Sequence, residues 1–139
     1  MLVGLCVVLL TGCFGGTKTL TCTMTETEFG MEMDMTMDVE FRRDRAVSIN
    51  MDMKVTLEEE YAEFMDMFMD AFEEEFGALE NQGWKVTMNN NGNIINIRIS
   101  ADIDDIKNAD SDFLGVDIDF NMGYEENKRE AEAAGAICR

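Results

Sequence analysis

Two long runs in which apolar and polar residues alternate constrain this chain more than any other feature. In residues 31–41 every odd-numbered residue is Met, Val or Phe, and every even-numbered residue is Glu, Asp or Thr. Residues 47–57 repeat the pattern, with Val, Ile, Met and Leu at the odd positions. Side chains of a β-strand point alternately to its two faces, so each run predicts a strand with one buried face and one face in water.

The charged residues of these runs favour one register for the pairing of the two strands. A pairing that sets Asp34 opposite Lys54 also sets Met35 opposite Met53, and it leaves residues 42–46 as a loop. The alternative pairing sets Asp34 opposite Asp52, and like charges on directly opposed residues destabilise a sheet. We therefore expect a hairpin in the first register.

A second hairpin is predicted for residues 84–99, where Asn91-Gly92 is a typical two-residue turn between alternating segments. This turn sets Met88 opposite Ile95. Residues 19–25 and 116–120 alternate briefly and predict two further short strands.

Two helices complete the predicted fold. Residues 58–81 carry apolar side chains at helical spacing, and Thr56 and Glu59 form a capping-box pattern at their start. The apolar stripe comprises Tyr61, Phe64, Met65, Phe68, Phe72, Phe76 and Leu79. Residues 124–134 form a C-terminal helix that ends before Gly135. The fold class is therefore α+β: an antiparallel sheet of five or six strands, built from two hairpins, packs against one long acidic helix, with a C-terminal helix.

The first residues of the chain are typical of a signal peptide for lipid attachment. Residues 2–10 are apolar and uncharged, a run too short to span a bilayer. Leu10-Thr11-Gly12-Cys13 resembles the bacterial lipobox, in which the cysteine is acylated and becomes the first mature residue. We therefore expect a signal peptide in residues 1–12, a lipidated tether in 13–17 and one domain in 18–139. The alternative is that the apolar run is a buried strand.

The four cysteines fit this organisation. Cys6 leaves with the signal peptide, and Cys13 takes the lipid. Cys22 and Cys138 remain, one near each end of the domain. Export to an oxidising compartment permits a disulfide between them, and two buried free thiols are the alternative.

The charge of the chain excludes one class of partner. The sequence has 29 Asp and Glu against 11 Lys and Arg, a net charge of −18. Binding of nucleic acid needs clustered Lys and Arg, so nucleic acid is a poor partner. A basic envelope protein or a cationic ligand fits better, docked on Glu32, Asp34, Asp38 and Glu40 of the first hairpin. The alternative is a charged face open to water, where the charge serves solubility alone.

Two groups of residues are candidate metal ligands. Met33, Met35, Met37, Met51 and Met53 share one face of the first hairpin, and thioethers select Cu(I), although Met at such positions also packs well in a core. Oxygen ligands for Ca²⁺ are available in an Asp-rich stretch, in which the spacing does not match an EF-hand. The stretch comprises Asp102, Asp104, Asp105, Asp110, Asp112, Asp117 and Asp119.

Catalytic signals are weak. The chain has no His, which is the commonest general base at neutral pH. Ser48, Ser100 and Ser111 lack the context of a nucleophile, and no phosphate-binding loop is present. The sequence therefore predicts a protein that is not an enzyme and that uses no cofactor.

The order of these features resembles the YehR-type family of small bacterial lipoproteins. The residues that carry the resemblance are the lipobox, Lys18-Thr19-Leu20-Thr21-Cys22-Thr23, the Met-rich hairpin, the acidic helix, and an ending in helix, Gly135 and Cys138. Because that family is itself uncharacterised, the resemblance implies an exported, membrane-anchored α+β domain and no activity. We expect an envelope lipoprotein that faces the extracytoplasmic space in a binding or interaction role. A Met-rich copper carrier or a calcium-binding envelope protein is the alternative.

Overall fold

A computed structural model of the chain describes residues 16–106, 112–113, 116–117 and 119–139. Its strands are β1 (Thr17–Glu28), β2 (Met31–Arg42), β3 (Arg45–Leu57), β4 (Lys85–Asn91), β5 (Ile94–Asp102), β6 (Asp112–Phe113), β7 (Val116–Asp117) and β8 (Ile137–Cys138). Its helical elements are a 3-10 segment (Glu59–Phe64) that continues into α1 (Met65–Glu80), a 3-10 turn (Ile103–Asp105) and α2 (Tyr124–Ala133).

Six strands form one antiparallel sheet in the order β4-β5-β3-β2-β1-β8, and β6 pairs with β7. The α+β class, the antiparallel sheet, the long helix and the C-terminal helix are confirmed. The predicted construction from two hairpins is wrong, because β1 pairs with β2 along its whole length. Strands β1, β2 and β3 therefore form a three-stranded meander. The β4–β5 hairpin joins it through the β3–β5 pairing, and β8 pairs with the outer edge of β1.

The first strand is longer than its alternating segment predicts, because it continues to a tight turn. Phe29 and Gly30 occupy this turn with φ angles of 50° and 73°. Two consecutive positive φ angles are typical of a type I′ turn, which matches the right-handed twist of the paired strands. Gly30 is also required by packing, since a Cβ atom there would overlap the ring of Tyr61.

The register predicted for the first hairpin is confirmed over most of its length. Asp34 faces Lys54, and the same register holds as far as Glu40 opposite Ser48. A bulge then shifts the pairing, and the predicted five-residue loop is replaced by a two-residue turn, Arg43-Asp44, with φ angles of 52° and 59°.

This bulge changes which side chain enters the core at the end of β3. Ala46, rather than Val47, faces Phe41 and is buried. An extra residue in one strand reverses the alternation beyond it, which the sequence pattern alone does not indicate.

The second hairpin forms, but its predicted register is wrong by two residues. Met88 faces Ile97 rather than Ile95, because the turn residues are Gly92-Asn93 instead of Asn91-Gly92. A shift by two leaves every side chain on its expected face, so the apolar set of the hairpin is unchanged.

A contact with β3 accounts for the position of this turn. The Nδ2 atom of Asn93 donates a hydrogen bond to the Leu57 carbonyl oxygen at 2.7 Å, and the Leu57 amide donates to the Asn93 carbonyl oxygen at 2.8 Å. Gly92 has a φ of 63°, which glycine adopts without strain. The position of the turn is therefore determined by the pairing with β3 and not by the local preference for Asn-Gly.

The long helix starts differently from its prediction. Thr56 lies within β3, and the 3-10 segment begins after Glu58 without a side-chain hydrogen bond at that end, so the predicted capping box is wrong. Phe64, which the helical spacing places on the buried stripe, is 43% exposed. The tighter winding of a 3-10 segment changes the direction of its side chains relative to an α-helix. The helix continues through Gly77 and ends at Glu80.

The C-terminal helix agrees with its prediction, and Gly135 follows it with a φ of 100°. Buried Asn127 fixes the preceding segment to this helix. Its two Nδ2 hydrogens are shared among the carbonyl oxygens of Asp119, Met122 and Gly123, which lie 3.1–3.2 Å from the nitrogen. 

The core lies between one face of the sheet and the two helices. The long helix packs near β4, and α2 packs on β1 and β8. The fully buried members include Leu20, Val39, Phe41, Met53, Val55, Leu57, Phe76, Ile95, Ile97 and Ile99. All the strand residues among them belong to the apolar sets of the alternating segments.

A disulfide joins the two ends of the domain, as predicted. Cys22 of β1 and Cys138 of β8 lie directly opposite each other with Cα atoms 4.1 Å apart. The loop that it closes spans 116 residues, for which the chain-entropy model gives a stabilisation of about 4–5 kcal/mol. Backbone hydrogen bonds between Thr21 and Arg139, at 3.1 and 2.9 Å, continue this attachment.

The observed β4–β5 register predicts that Asn93 contributes more to stability than Asn91. Asn93→Ala should lower the free energy of unfolding by about 1–2 kcal/mol, because it removes the bond to the Leu57 carbonyl. Asn91→Ala is the matched control and should change it by less than about 0.5 kcal/mol, because Asn91 is exposed. Chemical denaturation measures both values, and equal losses would contradict the register.

Candidate functional site

The face of the sheet opposite the core is polar, and no helix of the described residues packs on it. Its side chains occupy the alternate positions that the apolar pattern leaves: threonines on β1, carboxylates on β2, and charged or amide groups on β3, β4 and β5. They include Thr21, Thr25, Glu32, Asp34, Thr36, Asp38, Glu40, Asp52, Lys54, Thr87, Asn89, Asn96 and Arg98, all half-exposed or exposed. We call this surface the open face.

Threonines of β1 hold two of the carboxylates on the open face. The hydroxyl of Thr21 donates to Asp38 Oδ1 at 2.5 Å, and the hydroxyl of Thr25 donates to Asp34 Oδ1 at 2.8 Å. Each pair is directly opposed in the β1–β2 register. A carboxylate has about four acceptor positions, so each Asp retains capacity for a ligand while its orientation is fixed.

A groove of about 620 Å³ crosses the open face from β2 to β4. The strands supply its walls in the order of the sheet, so residues far apart in sequence meet here. Its lining comprises Asp34, Thr36, Asp52, Met53, Lys54, Thr87, Asn89, Asn96, Ile97 and Arg98. Most of these groups are hydroxyls, amides or charges, so the groove suits a polar or charged ligand.

One ion pair lies inside the groove. Arg98 Nε donates to Asp52 Oδ1 at 2.6 Å across the β3–β5 pairing. This hydrogen bond and the charge of Asp52 raise the pKa of Arg98, which therefore stays charged. The two groups are largely exposed, with side-chain accessibilities of 65% and 52%, so water screens the pair and a ligand can reach both.

The predicted docking residues Glu32, Asp34, Asp38 and Glu40 lie in one row along β2 on the open face. Only Asp34 lines the groove itself. The half of the groove formed by β4 and β5 was missed by sequence reasoning, which treated these strands as core. The polar alternation of residues 94–100, combined with the pairing of β5 with β3, is the signal that identifies it.

The Asp-rich stretch is only partly described. Asp110 and the side chains of Asp112 and Asp117 fall outside the described residues. The Oδ1 atom of Asp119 accepts a hydrogen bond from the Asn121 amide at 2.8 Å. Within the described parts of the chain, no three His, Cys, Asp or Glu side chains are placed to hold a metal ion. The calcium site stays a prediction.

The five methionines of the copper prediction belong to the apolar face of the sheet, although Met53 is also among the residues that line the groove. Met35 faces Met53, and Met37 faces Met51, as the register predicts. These four side chains are at most 8% exposed, and Met33 is half-buried. Met35 and Met37 line a small cavity near Cys22 with a volume of about 10 Å³, room for no more than one water molecule.

The predicted signal peptide and the lipidated Cys13 lie outside the described residues. Gly16 and Thr17 are the first residues of the described chain, at the start of β1. Among the helices that the structure does describe, none is long and apolar enough to cross a bilayer.

Comparison with known proteins supports the fold only. No protein-family model matches the chain, and no curated protein sequence matches it. Its structure is similar to an NMR structure of a protein from Streptococcus pneumoniae TIGR4, with a TM-score of 0.55 and 14% sequence identity. The match covers 100% of this chain and 94% of that one. The likeness therefore extends over the whole α+β arrangement.

Substitution of the paired methionines distinguishes a role in packing from a role in metal binding. If packing is their role, Met35→Leu/Met53→Leu should lower the free energy of unfolding by less than about 1.5 kcal/mol, because the volumes are similar. A Cu(I) competition titration of the unaltered protein should then show no binding tighter than about micromolar. Tighter binding that is lost in the double variant would establish the copper site instead.

Proposed function

We propose that this protein is a membrane-anchored envelope lipoprotein whose domain binds a basic protein segment or another cationic ligand on its open face. The observation that carries the proposal is the row of carboxylates on β2 beside a polar groove. Two of these carboxylates are oriented by threonine hydroxyls, at 2.5 and 2.8 Å. Oriented acceptors favour recognition of ammonium and guanidinium groups, because such bonds are charge-assisted.

The open face differs from an ordinary charged surface in its shape. A sheet face that only keeps a protein soluble needs charge but no concavity. Here the groove of about 620 Å³ adjoins the carboxylate row through Asp34. Amide groups such as those of Asn89 and Asn96 supply both donors and acceptors beside it, which suits the backbone of a bound peptide.

Export and anchoring are supported by two features of the chain. The lipobox-like Leu10-Thr11-Gly12-Cys13 provides an acylation site, and the Cys22–Cys138 disulfide is typical of oxidising compartments. The resemblance to the YehR-type lipoproteins agrees with both. On this proposal the domain faces the extracytoplasmic space, where it meets basic proteins of the envelope.

Copper carriage is the second candidate function. It is favoured by the two cross-strand methionine pairs, Met35 with Met53 and Met37 with Met51. Their burial opposes it, because a carrier must exchange its ion and these sulfur-bearing side chains are at most 8% exposed.

Oligolysine is a suitable probe for the binding proposal. NMR chemical shifts of the isotope-labelled protein should change mainly at residues of β2, β3 and β5 on the open face. Asp34→Asn/Asp38→Asn should weaken the binding about tenfold, as expected for the loss of charge-assisted hydrogen bonds.

The matched control is Asp66→Asn/Asp70→Asn, which removes the same charge from exposed positions of α1. It should weaken binding by less than about threefold, because only long-range attraction changes. Residues 58–80 hold ten carboxylates and no Lys or Arg, so a probe that is attracted by charge alone would bind there instead. Equal weakening in both variants would reject the open face as the site.

Anchoring is tested on the protein extracted from membranes of its producing cell. Intact mass spectrometry should show a chain that begins at Cys13 and carries acyl groups. The Cys13→Ala variant should lack the acyl mass and leave the membrane fraction, since acyl chains supply the affinity for the bilayer. An unmodified chain that begins at Met1 would contradict the anchor and would leave the binding proposal to be judged on oligolysine alone.

A further inference from the structure

Four of the chain's 11 basic residues lie together at one end of the sheet. Arg42 and Arg45 face each other across the β2–β3 turn, and Arg43 lies within it. Lys18 joins them because the β1–β2 register sets Thr17 opposite Arg42. All four side chains are exposed. We call Lys18, Arg42, Arg43 and Arg45 the basic tip.

The carboxylate of the β2–β3 turn, Asp44, is engaged within the fold. Asp44 Oδ1 accepts a hydrogen bond from the Tyr124 amide at 2.9 Å, at the first residue of α2. The positive end of the helix dipole offsets its charge there. Gly123 allows this approach, because a Cβ atom at that position would overlap the Asp44 carboxylate. Within the part of the chain that the structure describes, the three arginines form no ion pair, and their side chains are exposed.

A cleft of about 640 Å³ lies beside the basic tip. It is lined by Gly16, Thr17, Lys18, Phe41, Arg43, Asp44 and Glu125. The ammonium group of Lys18 lies 5.3 Å from the centre of the Tyr124 ring, which keeps this cation at the edge of the cleft. Two cations, Lys18 and Arg43, therefore lie at this cleft beside the carboxylates of Asp44 and Glu125.

The opposite end of the strands is acidic. Glu26 and Glu28 end β1, and Glu58, Glu59 and Glu60 begin the long helix; all five are exposed. The Glu58 amide donates to the Gly30 carbonyl oxygen at 3.0 Å, which holds this start against the β1–β2 turn. Because β1 has 12 residues, at a rise of about 3.3 Å per residue the two ends are roughly 36 Å apart. Exposed carboxylates such as Asp102 lie at the end with the basic tip as well, since Asp102 is opposite Ser48 in the β3–β5 register. The basic tip is therefore a local cluster of cations, and the end of the strands that lacks such a cluster is the more acidic one.

The position of the basic tip relative to Cys13 identifies its partner. Four residues separate Cys13 from Thr17 in sequence number, and an extended chain of that length spans at most about 14 Å. We infer that the basic tip contacts anionic phospholipid headgroups of the membrane that holds the lipid anchor, and that the acidic end points away from it. This inference rests on the anchor in the proposed function, and it adds an orientation: the strands stand upright on the membrane, with the open face directed sideways.

The experiment uses the full chain tethered to vesicles in a way that does not depend on cellular acylation. A Cys6→Ser chain is coupled through the Cys13 thiol to a maleimide lipid, while Cys22 and Cys138 are protected by their disulfide. Trypsin cleavage after Arg42 is then timed on phosphatidylcholine vesicles with and without phosphatidylglycerol. Cleavage should slow by roughly fivefold or more on the anionic vesicles, since each basic residue near such a surface adds about that factor. High salt should abolish the difference.

Two charge-matched double variants retain Arg42 and make the test specific. Arg43→Gln/Arg45→Gln should lose the protection on anionic vesicles, whereas Lys85→Gln/Arg139→Gln, which removes two exposed cations elsewhere, should keep it. Equal cleavage on both vesicle types, or equal loss of protection in both variants, would overturn the inference. Since the tether is chemical, these outcomes are independent of whether mass spectrometry finds acyl groups on Cys13 and of whether oligolysine binds the open face.

Discussion

The cross-strand packing of apolar side chains between β2 and β3 is the constraint on which the rest of the structure depends. Apart from Val47 at the bulge, the two strands place their apolar residues on one face, so their pairing creates a single buried surface that the helices must cover. The same alternation leaves the polar residues on the other face, where the groove lies. The core and the candidate site therefore both follow from one alternating pattern. A shift of one residue in the strand register would move the apolar side chains to the open face and the polar ones to the core.

The sequence predicted the parts of the fold that this pattern and its charges determine. The opposition of Asp34 and Lys54 selected the correct β2–β3 register, and the position of Cys22 on the apolar face of β1 agrees with its disulfide. Features set by tertiary contacts were missed. Asn93 pairs with Leu57 and moves the β4–β5 turn by one position away from the dipeptide that local preference favours. The bulge after Glu40 has no signal in the alternation.

Only the β2 part of the candidate site was predicted, for the same reason. The carboxylate row on β2 follows from its own strand, whereas the contribution of Asn89, Asn96 and Arg98 requires knowledge that β5 lies beside β3. Pairing between strands that are distant in sequence cannot be read from periodicity, since both hairpins are locally self-consistent. For the methionines, the sequence predicted the pairing of Met35 with Met53 but not their accessibility. Their burial, which only the structure shows, distinguishes core residues from accessible metal ligands.

The disulfide between Cys22 and Cys138 has a mechanical consequence. A pull applied between Thr17 and Arg139 reaches Cys22 after the first residues of β1, and there the load passes through the disulfide to Cys138, the residue before Arg139. The remaining strands and both helices lie outside this load path. Tension between Thr17 and Arg139 can separate the start of β1 from β2, but it cannot extend the 116-residue loop that contains the groove.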